Sequence, residues 1–244
     1  MRVLANVSMN IRSGDPVELA LFDGKRLPDA TAISVQPAGK ILEEERAFLS
    51  RQDMYPDFKS SPGLEKAYTL TLDREIDMPI GSVICAANRV GNGFIVKGCD
   101  FGFNRSRGIL IKASHGTVTG NQMDGCKMSA ILVTPEWWWL EAGSSSDVTI
   151  TGNTIRDCGE VGIRVGAMGG NGSIAPAGAH RNITITGNMV DDSPMPGILV
   201  TSTAGLRLEN NRLHLREEAG NLPPEMRQAG LKELRPVVEI QCEP

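Results

Sequence analysis

Three near-identical pentapeptides in the middle of the chain decide its fold: Thr117-Val-Thr-Gly-Asn121, Thr149-Ile-Thr-Gly-Asn153 and Thr184-Ile-Thr-Gly-Asn188. Related segments precede and follow them, Ile95-Val-Lys-Gly-Cys99 and Arg207-Leu-Glu-Asn-Asn211. In four cases a second apolar run lies ten residues beyond the end of the segment, at Ile109, Ile131, Ile163 and Ile198. A register held this constantly identifies an internal structural repeat.

The repeat predicts a stack of β coils. Successive segments are 22, 32, 35 and 23 residues apart, so the bare unit has 22 or 23 residues and two units carry insertions. Short apolar runs alternate with Gly and Asn turns, and residues 91–215 hold 20 of the 27 glycines. Stacked coils bury together what one coil cannot bury alone. The predicted fold class is all-β, a right-handed single-stranded parallel β-helix of about five coils.

Period-two alternation predicts which side chains face the interior. It gives three apolar ladders: Val96, Val118, Ile150, Ile185 and Leu208; Phe101, Met123, Ile155 and Val190; and the pairs 109/111, 131/133, 163/165 and 198/200. Asn121, Asn153 and Asn188 are predicted to stack at a corner, because Asn tolerates left-handed backbone and can hydrogen-bond to neighbouring coils. Cys126 and Cys158 share one register and are predicted to be buried.

The residues on either side of the repeat do not follow its register. Residues 1–92 contain two strand-like segments, 15–24 and 68–73, separated by a polar, acidic stretch at 42–61 that begins with one or two helical turns. They predict a small β-rich, barrel-like module, followed by the β-helix at 93–215. Residues 216–244 predict a cap segment with a short helix within 223–234 and a last strand at 237–241.

Composition excludes several classes of partner. The net charge is −4 with no cluster of Lys or Arg, which speaks against nucleic-acid binding. No apolar run is long enough to span a membrane, and the first ten residues lack the pattern of a signal peptide. The five cysteines show no metal-ligand spacing, and His115, His180 and His214 are predicted as separate surface residues, so neither a metal nor a cofactor is expected.

Both insertions follow the second strand of their unit, so they are expected at the same corner of successive coils, over 134–146 and 166–180. Long loops on a rigid scaffold are common places for function. The first insertion contains every tryptophan of the chain, Trp137, Trp138 and Trp139. Exposed aromatic rings beside carboxylates suit sugar binding, whereas the structural alternative is that some of these rings cover the flank of the coils.

Four segments in order resemble the β-helix region of glycoside hydrolase family 110: 104–111, 129–133, Trp139-Leu-Glu-Ala-Gly143 and 147–153. The resemblance runs from about residue 14 to residue 211, because that family also places a β-barrel module before these coils. It implies an inverting α-1,3-galactosidase that acts on terminal galactosides, outside the cytoplasm and without a cofactor. Two departures matter. Leu140 and Ala142 replace a Tyr and a Ser of the family motif, and the family's upstream Asp-Asp-Gly coil is absent, so a truncated form is expected.

An inverting hydrolase needs an acid and a base on opposite sides of the bond that it cleaves. The catalytic candidates are Glu141, which the resemblance favours, together with Glu136, Asp124 and Asp157. Asp100 and Glu160 are further exterior carboxylates. Arg105 and Arg107 are candidates for binding hydroxyl groups, and a salt bridge between coils is their structural alternative.

Leu110, Leu132 and Leu199 alternate with interior positions and are expected to point outward. Such a strip predicts cover by the N-terminal module or by a second subunit in a homo-oligomer. Three hypotheses follow from the sequence: a glycosidase, a non-catalytic glycan-binding protein, and a structural or oligomeric β-helix.

Overall fold

A computed structural model describes residues 1–5, 9–49, 66–218 and 220–243. The chain divides into two compact units. Unit 1 comprises residues 1–90, 136–143 and 168–173, and unit 2 comprises residues 91–135, 144–167 and 174–244. The central part of each predicted insertion therefore belongs to unit 1, with the N-terminal residues.

Unit 2 is a parallel β-helix, as the repeat predicts. Its first sheet contains β6 (Ile95–Lys97), β9 (Gly116–Thr119), β12 (Ser146–Thr151), β15 (His180–Thr186), β18 (Thr203–Ala204) and β19 (Arg207–Glu209). The second contains β7 (Asp100–Gly102), β10 (Gln122–Asp124), β13 (Thr154–Arg156), β16 (Met189–Ser193) and β20 (Arg212–Leu215). The third contains β8 (Ile109–Ile111), β11 (Ile131–Val133), β14 (Ile163–Val165), β17 (Ile198–Thr201) and β21 (Val237–Ile240).

Every strand pair in these three sheets is parallel, and the register matches the sequence repeat. Val118 pairs with Ile150, Met123 with Ile155, and Ile131 with Ile163. The three predicted ladders form one apolar core, in which the middle levels are fully buried and the end levels partly buried. Cys126 and Cys158 are buried as predicted, and burial raises the pKa of both thiols.

The predicted asparagine ladder is present and is extended by Asn211. The side-chain amide of Asn153 donates to Oδ1 of Asn188 at 2.9 Å and to the carbonyl of Val118 at 3.0 Å. Its own Oδ1 accepts hydrogen bonds from the backbone and side-chain amides of Asn121, at 3.0 and 2.8 Å. Each ladder residue follows a left-handed residue, which is Gly120, Gly152 and Gly187 at three levels. The buried polar groups at this corner therefore find their hydrogen-bond partners within the stack.

The C-terminal segment contains α2 (Pro224–Gln228) before β21, in agreement with the predicted helix and strand. Met226 of α2 and Val238 of β21 form a buried cluster with Leu199 and Val161. Beside this cluster, the guanidinium of Arg164 pairs with the buried Glu225. The tail thus packs on the outer side of the third sheet.

Unit 1 contains a five-stranded antiparallel sheet in the order β1-β4-β3-β2-β5. The strands are β1 (Arg2–Ala5), β2 (Pro16–Ala20), β3 (Ala30–Pro37), β4 (Lys66–Leu72) and β5 (Val83–Ala86). Helix α1 (Glu43–Leu49) follows β3, where helical turns were predicted. The rest of the predicted acidic stretch, from residue 50 onward, lies outside the described residues. Val17, Leu19 and Leu70 are at the centre of the sheet's core.

Two buried carboxylates have fixed partners in unit 1. Asp15 receives the guanidinium of Arg89 at 2.7 and 2.9 Å, and this pairing holds the pKa of Asp15 well below its usual range. Glu18 lies 3.6 Å from the guanidinium of Arg26 and accepts a hydrogen bond from the indole of Trp137 at 3.2 Å. The same carboxylate would lie 2.9 Å from a β-carbon at Gly143, so a larger residue there would have to displace it from its partners.

Candidate functional site

The outward face of the second sheet carries a row of polar residues in register. Strand pairing aligns Gly102, Asp124, Arg156 and Asp191 on successive coils. Nδ1 of His214, on the next strand, lies 3.2 Å from the carboxylate of Asp191. These residues alternate with the interior ladder, because neighbouring side chains of a strand point to opposite faces. We call Gly102, Asp124, Arg156, Asp191 and His214 the outward row.

Two aspartates of the outward row lie on the same face of the sheet. Asp124 and Asp191 are separated by one strand, and two strand spacings place their backbones about 9.6 Å apart. Arg156 lies between them. The carboxylate of Asp124 makes no hydrogen bond or ion pair with any described residue, and its side chain is exposed. Asp124 is therefore open to a ligand from solvent.

A second row follows at the corner after the sheet. Phe103, Gly125, Asp157 and Asp192 occupy equivalent positions, and all four have left-handed backbone. The guanidinium of Arg216 binds Asp157 at 2.7 Å and Asp192 at 3.1 Å, and the hydrogen bond with Asp192 raises the pKa of Arg216. Both aspartates are therefore fixed by one cation, unlike Asp124.

Arg216 also lines a cavity of about 440 Å³. The last two coils supply Pro194 and Leu215 to its wall, and the C-terminal segment supplies the rest: Gly220, Leu222, Lys232, Glu233 and Leu234. Because Arg216 contacts both the cavity and the corner aspartates, the cavity adjoins the outward face of the second sheet. This arrangement offers a concave wall beside a row of carboxylates.

A family model described as a right-handed β-helix region matches residues 80–213, more than half of the chain. The chain belongs to the right-handed β-helix family. No curated protein matches the chain. The membership gives the handedness of the coils.

Two of the predicted sugar-binding tryptophans are buried in this β-helix protein. Trp137 is 1% exposed and Trp138 is 6% exposed, so neither ring offers a face for stacking, and the prediction is wrong for both. They lie in a 3₁₀ turn, Trp137–Trp139, inside unit 1. The indole of Trp138 donates to the carbonyl of Met168 at 2.8 Å, and its ring meets Phe22 edge to face. The side chain of Trp139 lies outside what the structure describes.

The four predicted catalytic carboxylates divide between the two units. Glu136 and Glu141 flank the tryptophan turn in unit 1, where the backbone amide of Glu141 donates to the carbonyl of Glu136 at 3.2 Å. Asp124 and Asp157 lie on neighbouring coils of unit 2. Asp124 is open, whereas Asp157 is held by Arg216. Asp124 is exposed and has no partner among the described residues.

Arg105 and Arg107 lie between β7 and β8 in the first coil. Neither forms an ion pair with a described residue, and the buried Nε of Arg107 has no hydrogen-bond partner there. The predicted salt bridge between coils is thus absent from the described part of the chain. Their role in binding hydroxyl groups stays a prediction.

The surface prediction for His180 is wrong. His180 is fully buried, where its Nδ1 accepts from the backbone amide of Ser145 at 3.1 Å and its Nε2 lies 3.1 Å from the carbonyl of Gly166. Leu199 is covered, as the leucine strip predicts, but by the C-terminal segment of the same chain rather than by the N-terminal module or a second subunit, and Leu132 is also buried. Leu110 is half-buried. The strip therefore offers no continuous surface for a second subunit, and the oligomeric state stays a prediction.

Among the described residues, no group of three His, Cys, Asp or Glu side chains could hold a metal ion. No helix in the same residues is long and apolar enough to cross a membrane. Arg156, Asp191 and His214 were not among the predicted site residues. The repeat register indicates their alignment with Asp124, because Asp124, Arg156 and Asp191 stand three residues beyond their ladder asparagines.

Proposed function

We propose that this β-helix protein is a glycoside hydrolase that acts on terminal α-galactosides, with Asp124 and Asp191 as its carboxylate pair. The observation that carries the proposal is the position of these two residues on one outward face, with their backbones about 9.6 Å apart by strand spacing. Inverting glycosidases hold their two carboxyl groups about 6.5–9.5 Å apart, with room for a water molecule beside the sugar, and side chains on backbones spaced in this way can reach that separation.

The surroundings of the pair agree with this chemistry. Arg156, between the two carboxylates, has no partner among the described residues and can donate to substrate hydroxyls. Asp191 is kept oriented by its contact with His214. The choice of galactose as the sugar rests on the resemblance of the coils to glycoside hydrolase family 110.

The test is hydrolysis of p-nitrophenyl α-galactoside by the purified protein. We expect turnover by the wild-type chain, with a loss of about 10²–10⁴-fold in Asp124→Asn and in Asp191→Asn. NMR of the fresh product should show the β anomer first, as inversion requires.

Asp147→Asn is the matched control. Asp147 is an exposed aspartate that lies 3.3 Å from Nδ1 of His115, so it repeats the Asp191–His214 pair at a different corner of the same unit. It should keep wild-type activity. Equal losses in all three variants, or no turnover by the wild type, would overturn the proposal. Galactoside binding without turnover would instead favour a glycan-binding protein.

A further inference from the structure

Phe103 is unusual in two respects. It is 85% exposed, the highest exposure among the large apolar side chains that the structure describes. Its backbone has a φ of 51°, in the left-handed region that bulky residues avoid. The same corner position carries Gly125, Asp157 and Asp192 in the following coils, and glycine and aspartate tolerate this backbone. Neither burial in the core nor backbone preference therefore explains why a phenylalanine occupies position 103.

The ring of Phe103 lies beside the open carboxylate of the outward row. A β-carbon on Gly125 would lie 2.9 Å from Cδ1 of the ring, so the ring lies over that glycine. Gly125 directly follows Asp124 in the chain, and the backbone amide of Phe103 donates to the carbonyl of Asp124 at 2.9 Å. The aromatic ring and the carboxylate are thus neighbours at one edge of the second sheet.

A glycine leaves the backbone bare on the other side of Asp124. Gly102 is the outward-row neighbour of Asp124 on β7, and a β-carbon there would lie 2.8 Å from the carbonyl oxygen of Asp124. Because the ring of Phe103 covers Gly125 and Gly102 has no side chain, a ligand at this edge would meet the ring of Phe103 and the carboxylate of Asp124. A flat ligand with an apolar face and hydroxyl groups at its edge suits these two groups.

A galactopyranose ring has this character. Its axial 4-hydroxyl lies on one face, which leaves the hydrogens of C3, C4 and C5 as an apolar patch on the other. Such a patch stacks on an aromatic ring, while a carboxylate accepts hydrogen bonds from the sugar hydroxyls.

We propose that Phe103 is the stacking platform of a galactose subsite next to Asp124. The inference rests on the proposed function, whose reacting carboxylate it shares. It assigns to Phe103 the role that the sequence assigned to the tryptophans. The strained corner then has a functional cause, as backbone outliers at binding sites often have.

Calorimetric titration with methyl α-galactoside tests the subsite. Phe103→Ala should weaken binding about three- to tenfold, the effect of one lost aromatic contact. Phe103→Trp should bind at least as well as the wild type, and methyl α-glucoside should bind the wild type more weakly. Ile95→Ala, which removes an exposed apolar side chain from the first sheet, is the control and should change nothing.

Phe103→Gly separates binding from folding. Because glycine adopts left-handed backbone freely, this variant should melt at the same temperature as the wild type or higher, yet bind as weakly as Phe103→Ala. A fall in melting temperature with unchanged binding would make Phe103 a structural residue and overturn the inference. So would a wild-type protein that binds no galactoside.

The outcomes distinguish this inference from the proposed function. Hydrolysis of p-nitrophenyl α-galactoside with an unchanged KM in Phe103→Ala would contradict the subsite and leave the hydrolase standing. Binding that depends on Phe103 in a protein that hydrolyses nothing would contradict the hydrolase and support the subsite.

Discussion

The asparagine ladder and the outward row are three residues apart in each coil, yet they follow opposite rules. The ladder repeats one residue at four levels, Asn121, Asn153, Asn188 and Asn211, and each side chain hydrogen-bonds the next. The outward row changes at every level, from Gly102 to Asp124, Arg156 and Asp191. The buried residue must be the same at every level, because a buried polar group without a hydrogen-bond partner costs free energy. An outward residue can hydrogen-bond to water, so its identity can differ from coil to coil.

Asn153→Ala tests the contribution of the asparagine ladder to stability and should have the largest effect. The substitution leaves the carbonyl of Val118 and both amide groups of Asn121 without the partners that Asn153 supplies. We expect a loss of about 5 kcal/mol in the free energy of unfolding, from three buried groups at roughly 1–3 kcal/mol each. Urea denaturation measures it. Thr154→Ala, on the next residue, is the control, and an equal loss there would contradict the ladder's role.

Trp137→Ala tests how much a buried side chain in the first insertion contributes to stability. Its buried ring packs edge to face against Trp138 and donates to Glu18, so truncation should cost about 4 kcal/mol. Trp137→Phe keeps most of the apolar volume and should cost clearly less. Thermal melts of both variants give the ranking. Wild-type stability in Trp137→Ala would mean that the ring is not part of the core.

Asp15→Asn contrasts a buried carboxylate with the open Asp124. Arg89 holds the pKa of Asp15 below its usual value, so the ionised form stabilises the fold above the unfolded pKa of about 4. That stability is lost as the pH falls through the folded pKa. Melting temperatures measured from pH 7 to pH 2 should show a deficit for Asp15→Asn that narrows below about pH 4. A deficit independent of pH would contradict the ion pair.

Asp124→Asn should have the smallest effect on stability. Its exposed side chain has no partner among the described residues, so the change in the free energy of unfolding should stay within about 0.5 kcal/mol. Urea denaturation of Asp124→Asn beside Asn153→Ala measures the outward row and the buried ladder on a single scale. A large destabilisation in Asp124→Asn would show that the outward row is structural.

The sequence predicts the buried residues of unit 2, because stacking places equivalent residues of successive coils in the same environment. The ten-residue offset to Ile109, Ile131, Ile163 and Ile198 reflects a strand and a corner of fixed length, and the sheets reproduce it. The asparagine ladder followed from the same register.

The candidate site was harder to predict, because the register shows which outward residues align but not which of them are open to a ligand. The sequence places Trp137 in an insertion of the coils, but its partner Glu18 is 119 residues away, and no local pattern indicates that contact. Three adjacent tryptophans looked exposed because insertions usually are. Among the aromatic side chains that the structure describes, the exposed one is Phe103, within a coil, and its left-handed backbone is visible in the structure alone.

An NMR titration of the ¹⁵N-labelled protein with methyl α-galactoside measures whether the outward face of the second sheet binds sugar. We predict saturable shifts in the backbone amides of Gly102, Phe103, Asp124 and Gly125, with the amides of residues 136–143 unaffected. Shifts confined to residues 136–143, or no shifts at a saturating sugar concentration, would contradict a sugar site on that face.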